Sequence, residues 1–147
     1  MAKRVIAHIF ALLALTLSAI GCTPEEQNVC HVNPRNWNKS ADITFENSST
    51  NTLLDISFFV RCNADFSVKA LPVVVRTEAP NSSVSSEQVV WVFDSERAAN
   101  PTATIEKIGY RNTCLLQHQG TYTFSVIPQS PVRGIEAIGL IIEKQKR

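Results

Sequence analysis

The chain lacks the short motifs that mark most catalytic and nucleotide-binding sites. It contains no Gly-x-Ser-x-Gly, no glycine-rich phosphate loop after a strand and no His-Glu-x-x-His. Sequence evidence for a nucleophile elbow, a nucleotide cradle or a zincin-type metal centre is therefore missing. Cys-x-x-Cys spacing is absent too, so the four cysteines do not read as a closed zinc site. There is no internal repeat and no low-complexity tract. Excess charge of either sign is lacking: 14 Lys and Arg stand against 13 Asp and Glu. That balance argues against a nucleic-acid partner, which requires a basic face. After the first twenty residues no apolar run approaches the ~20 residues that span a bilayer.

What is present begins at the N-terminus. Lys3 and Arg4 lead into an apolar run over residues 5–20, followed by Gly21-Cys22. This is the order of a signal peptide: charged region, apolar region, small-residue cleavage site. The stretch Leu15-Thr16-Leu17-Ser18-Ala19-Ile20-Gly21-Cys22 fits a bacterial lipobox, in which acylation of the cysteine turns a soluble domain into an anchored one. A retained membrane anchor is the competing reading, but the run is short and no basic stop signal follows it. The expected division is a cleaved lipoprotein signal peptide (1–21), a lipidated tether (22–36) and a folded domain (37–147). A single acyl chain holds a protein only marginally. A diacylglycerol plus a fatty acid on Cys22 makes the anchor effectively permanent.

Two of the 14 basic residues, Lys3 and Arg4, precede Cys22, so the mature chain carries 12 against 13 acidic residues, a net charge of −1. Its 126 residues suit one domain that buries roughly two thirds of its unfolded surface. Residues 23–35 show no periodicity and contain Pro24, Glu25, Glu26 and Pro34, as a tether would.

From Trp37 onward the pattern is β, with short alternating runs between turn residues. Ile43 and Phe45 alternate with Asp42, Thr44 and Glu46. Leu54, Ile56, Phe58 and Val60 form one strand face; Leu71, Val73 and Val75 a second; Val89, Trp91 and Phe93 a third. Asn47-Ser48-Ser49-Thr50-Asn51, Asn63-Ala64-Asp65 and Ala79-Pro80-Asn81-Ser82-Ser83 read as turns. Residues 94–102 are the one helical candidate, with Ser95 as N-cap and Pro101 ending it. Residues 105–110 are ambiguous. Residues 113–118, 121–127 and 135–143 read as strands, with Ile138, Leu140 and Ile142 on one face of the last. Seven or eight strands without a substantial helix predict an antiparallel β-sandwich or jelly roll.

Residues with chemical potential read better as structure. Cys30-His31 and Cys114 with His118 are Cys/His pairs, but strand spacing places the latter two far along one face. Asp94 and Glu96 fit a solvated turn better than a carboxylate pair. With Cys22 lipidated, an odd set of three cysteines remains: Cys30, Cys62 and Cys114. Cys62 continues the inward face of Leu54 to Val60, and Cys114 shares a face with Leu116. The two either pack as buried free thiols or form a Cys62–Cys114 disulfide across the core; Cys30, in the tether, is the more exposed. Trp91 alternates with Val89 and Phe93 as core, and Trp37 would cap one end of the sandwich. Their alternative use is a sugar-stacking platform. Tyr122 alternates inward with Phe124 and Val126, so its hydroxyl needs a partner from nearby backbone, as in a tyrosine corner. Gly134 and Gly139 flank the last strand, where glycine permits a tight turn or a close approach.

Several stretches occur together in one order: a lipobox cysteine, Asn36-Trp37, Asp42-Ile43-Thr44-Phe45, Phe59-Val60-Arg61-Cys62-Asn63, Gly120-Thr121-Tyr122-Thr123-Phe124, and Arg133-Gly134-Ile135-Glu136-Ala137-Ile138-Gly139-Leu140. In this the chain resembles the gliding-motility lipoprotein GldH family of Bacteroidota. Cys62 departs from that pattern, where Asn is usual, and Ile105-Glu106-Lys107-Ile108-Gly109 stands only loosely for the family's middle segment. The resemblance implies an outer-membrane lipoprotein associated with the motility and type IX secretion apparatus, with no catalytic residues and no cofactor. Thr23-Pro24-Glu25-Glu26 resembles the acidic export signal of surface lipoproteins in that phylum, and reads equally as plain linker acidity. The expected function is a lipid-anchored, non-enzymatic sandwich that binds envelope proteins; the alternative is a surface glycan-binding module, which requires Trp37 or Trp91 to be solvent-accessible.

Overall fold

Alternation of inward apolar and outward polar side chains makes eight strands. In the computed structural model, which describes residues 28–93 and 103–145, these are β1 (Val29–His31), β2 (Ala41–Asn47), β3 (Leu54–Cys62), β4 (Ala70–Glu78), β5 (Val84–Val92), β6 (Thr104–Cys114), β7 (Gly120–Pro128) and β8 (Ile135–Lys144). The signal peptide, Cys22 and the first part of the tether lie outside the described residues, as does the expected helical turn over 94–102 with Ser95, Asp94 and Glu96.

The strands form two four-stranded sheets, in the orders β1-β8-β3-β6 and β2-β7-β4-β5, and every pair is antiparallel. The pairs β1–β8, β2–β7, β3–β6 and β4–β5 nest within one another, as when one long two-stranded ribbon is folded at its middle and rolled up. Rolling adds the β3–β8 and β4–β7 contacts. This is the eight-stranded jelly roll, so the expected sandwich class is present. The ribbon's fold point is the turn at 79–83. There Ala79 N donates to Ser83 O (2.9 Å) and Ser82 N to Ala79 O (2.9 Å), with Ser82 at φ 64°.

The core fills from both inner faces. Ile43, Leu54, Ile56, Phe58, Val60, Leu71, Val73, Val75, Trp91, Phe124, Ile138 and Leu140 are all buried in it. Phe58 packs its ring 5.4 Å from Trp91 and 5.2 Å from Tyr110. Trp37 is also buried, and its indole Nε1 donates to Lys39 O (2.7 Å). The backbone of Trp37 bridges to Val132, which closes one end of the sandwich as expected.

Three expectations are corrected. First, the stretch read as tether contributes β1, whose Val29, Cys30 and His31 pair with Gly139, Ile138 and Ala137. Three residues are too few to show a period in sequence, yet they satisfy the free edge of β8. Second, residues 113–118 are not a strand of their own. β6 ends at Cys114, just after Thr113 enters the left-handed region at φ 53°, and 115–119 form a loop. Third, Gly139 lies inside β8 rather than at its flank. Adding a Cβ there would bring it within 2.1 Å of the Phe59 ring, so the close approach expected of this glycine comes from an aromatic side chain. Gly134 is the turn, at φ 93°.

The loop 115–119 is held by side chains instead of a ladder. Tyr122 is buried, and its hydroxyl accepts the His118 N–H (3.1 Å), the backbone partner that its position demands. From β2, Asn47 Nδ2 donates to His118 O (2.8 Å) and to Leu116 O (3.4 Å). Asn47 is buried as well.

Candidate functional site

In β3 the residues Leu54, Ile56, Phe58, Val60 and Cys62 enter the core, so Asp55, Ser57, Phe59 and Arg61 face outward by the two-residue period. The strand registers set these outward residues in rows across the β1-β8-β3-β6 sheet. His31 lies beside Ala137, Arg61 and Ile105; Val29 lies beside Gly139, Phe59 and Lys107. Ala137 and Gly139 carry almost no side chain, and their larger neighbours rise on both sides. The result is a groove of about 540 Å³ along β8, lined by Val29, His31, Phe59, Arg61, Ile105 and Ile141 among others.

The groove mixes apolar side chains, Val29, Phe59, Ile105 and Ile141, with the polar Asn28, His31 and Arg61. Ile105 is 68% exposed, and the Phe59 ring lies directly over Gly139. The outer face of an antiparallel sheet is ordinarily polar, and the apolar side chains here are set among polar ones. At the rim, Arg61 Nε meets Glu136 Oε2 at 3.0 Å and Lys107 Nζ meets Glu143 Oε2 at 2.7 Å. Both pairs are solvated and worth little in stability. They leave alternating charges beside an apolar floor, which suits the side chains and polar backbone of a protein segment.

The ionisable groups elsewhere act as fasteners. The Asp55 carboxylate accepts the Thr113 N–H (2.7 Å) and the Gln145 side-chain amide (3.0 Å). These bonds, the Thr113 one foremost, hold its pKa below the ordinary carboxylate value. The Asp42 carboxyl is likewise lowered, chiefly by Ser40 and then by Ser125. Tyr110 on β6 donates to Glu87 on β5, and Arg111 pairs with the same carboxylate, joining the two sheets along one side of the sandwich. Burial first, and the Glu87 bond second, push the Tyr110 phenol up to about 12.

Of the residues singled out from sequence, Cys22 lies outside the described residues. Cys62 and Cys114 are not brought together, and the proposed Cys62–Cys114 disulfide is corrected. Cys114 pairs with Leu54 at the opposite end of β3 from Cys62, roughly 26 Å away at ~3.3 Å per residue, far beyond disulfide reach. No disulfide joins either of them, nor Cys30. Cys62 is fully buried, and Cys114 is half-buried, its thiol pKa pushed up mainly by that burial. Cys30 is half-buried in β1 and packs against the core, while His31 lines the outer groove. The two therefore face opposite sides of one strand and cannot share a metal. Among the described residues no three His, Cys, Asp or Glu side chains converge. Trp37 and Trp91 are each 2% exposed, so neither forms a sugar-stacking platform.

No protein-family model matches the chain, and no curated protein matches it. One solved structure to which it is similar is a family GH115 4-O-methyl-α-glucuronidase with specificity for decorated arabinogalactans. The two share 12% identity with a TM-score of 0.44, over 72% of this chain and 14% of the other. A likeness at that level carries no argument about function.

The groove itself was not read from sequence, although a signal for it existed. Phe58-Phe59 and Leu140-Ile141-Ile142 place apolar side chains at consecutive strand positions. Because consecutive positions face opposite sides, one of each pair has to stand outside the core.

Proposed function

We propose that the chain is a non-enzymatic lipoprotein of the outer membrane, anchored through lipid on Cys22, whose sandwich docks envelope proteins. Its place, following the GldH resemblance, is as an accessory or assembly factor of gliding-motility or type IX secretion-associated machinery. The lipobox and the linker after it support the address. The observation that carries the docking role is the groove along β8, where the apolar Val29, Phe59, Ile105 and Ile141 stand beside the polar His31 and Arg61. The groove offers a concave surface of mixed apolar and polar side chains with charged edges, which a protein segment can fill.

A photo-crosslinking side chain at Ile105, in the full chain in its native envelope, tests this reading. It should yield a discrete adduct with an envelope protein that the same label at Thr44, an exposed position on β2 in the opposite sheet, does not give. Equal labelling from both positions, or no adduct from Ile105, would contradict it.

A further inference from the structure

The four edge strands of the sandwich differ in how they are guarded. An edge exposes unpaired backbone groups, and natural sheets blunt it with shortness, lysine, proline, bulges or inward charge. β1 has three residues. β6 carries Lys107 and Arg111, and register shifts break its pairing with β3. β2 carries the exposed Asp42 and Glu46. β5 has the fewest of these devices, a single inward-facing charge: its nine residues, Val-Ser-Ser-Glu-Gln-Val-Val-Trp-Val, pair with β4 in unbroken register. Its one charge, Glu87, already pairs with Arg111.

The direction of the free groups follows from the β4 pairing. Ala79 N donates to Ser83 O and Phe93 N to Lys69 O, each at 2.9 Å. These bonds fix the odd-numbered residues of β5 as the ones bonded to β4, because antiparallel ladders alternate. The N–H and C=O groups of Val84, Ser86, Gln88, Val90 and Val92 therefore point along the open edge, and among the described residues no strand pairs with them. The side chains of those residues also stand on the outer face. There Val84, Val90 and Val92 are 50%, 57% and 73% exposed, and Val92 and Val90 sit beside Ala70 and Pro72 of β4.

We propose that β5 is an interface between two copies of this chain, paired antiparallel about a twofold axis at Gln88. Gln88 is the midpoint of β5, so this register alone uses the whole strand. It sets Gln88 against Gln88, Ser86 against Val90 and Val84 against Val92, as hydrogen-bonded pairs through their outward backbone groups. Glu87 falls opposite Val89, so no like charges oppose each other across the seam, which an isologous contact has to avoid. The outcome is one eight-stranded sheet running through both copies, with the exposed valines meeting on its outer face. A strand edge about 30 Å long and about 10 Å thick offers roughly 300 Å² a side. That is below the ~800 Å² per partner of a standard interface, so the dimer is weak and concentration-dependent.

Cysteine cross-linking of the full chain tests the proposal, because directly opposed Cα atoms in a hydrogen-bonded antiparallel pair lie ~5.5 Å apart, within disulfide range. On mild oxidation Gln88→Cys should form a disulfide-linked dimer well above the background of the parent chain, which has the native cysteines alone. Thr44→Cys, on β2 at the far side of the same sheet, should not. Adding Val90→Lys to Gln88→Cys should abolish the dimer band, since a lysine guards the edge at an exposed position where the fold tolerates it. A monomeric Gln88→Cys, a dimer that survives Val90→Lys, equal dimer from Thr44→Cys, or cross-linking of position 88 to a different protein would each overturn the second-copy assignment.

Discussion

The loop 115–119 is held at two points that are distant in sequence, and removing each should reveal the other. Tyr122→Phe keeps the buried ring and deletes one acceptor, the hydroxyl 3.1 Å from the His118 N–H. Asn47→Ala deletes a donor 2.8 Å from His118 O and a weaker one 3.4 Å from Leu116 O. A typical intramolecular hydrogen bond contributes about 1 kcal/mol net, and leaving a buried partner unpaired costs about 1–3 kcal/mol. Because His118 is half-buried, water reaches the orphaned groups and the lower figures apply. Tyr122→Phe should therefore cost about 1 kcal/mol, and Asn47→Ala, with lost packing, about 2 kcal/mol. Both bonds end on His118, so once one is gone the loop loosens and the second contributes less. The double variant should fall short of the sum by about 0.5–1 kcal/mol. Urea unfolding followed by Trp37 and Trp91 fluorescence measures all four states, with unchanged slope as the check on two-state behaviour. Strict additivity, or loss of the whole stability from Tyr122→Phe alone, would refute the shared-loop reasoning.

Three further outcomes follow from single groups. The Tyr110 pKa of about 12, against an ordinary value of 10.0, means that the unfolded chain loses this proton before the folded one does. The contribution is present below pH 10 and is lost as pH rises toward 12; comparing unfolding midpoints of the parent and Tyr110→Phe across that window should show the parent alone carrying this component. Gly134→Ala would place a Cβ 2.3 Å from Phe66 N at φ 93°, so unfolding midpoints should drop by the equivalent of about 3 kcal/mol or more, whereas Gly109→Ala, where no atom lies within 4 Å of the added Cβ, should cost far less. In a non-reducing thiol count Cys62 and Cys114 should both register as thiols, with Cys62 alkylated only on unfolding; a mass showing them joined would contradict the register of β3 with β6.

The parts of the fold that sequence made legible are those whose two faces differ. Leu54 to Cys62 and Leu71 to Val75 alternate because one side meets the core and the other meets water or a groove, and the period survives in the letters. β5 is visible only from Val89, since its first half is polar on both faces at an exposed edge. β6 was ambiguous for a related reason: half-buried and exposed positions alternate along it, but the half-buried set includes Thr104 and Glu106 and the exposed set includes Ile105, so the residue types carry no period. The apparent strand at 113–118 shows the opposite failure. Its Cys114 and Leu116 do lean on the core, but the backbone there is satisfied by Asn47 and Tyr122 rather than by a neighbouring strand, and no local pattern reports a partner some seventy residues away. Tyr122 was legible because a buried phenol needs a partner wherever it falls. The groove depends on register: Ala137 and Gly139 become a floor only when β1 and β3 are laid on either side of β8.

Membrane attachment through Cys22 is the claim on which the account turns, and it has a direct measurement. The full chain and its Cys22→Ser variant are expressed in a Gram-negative host, and membranes are washed with sodium carbonate. The parent should remain in the membrane pellet and carry the mass of a lipidated N-terminus, while the variant leaves the pellet. A Cys22→Ser chain that stays with the membranes through the wash would contradict the lipid anchor.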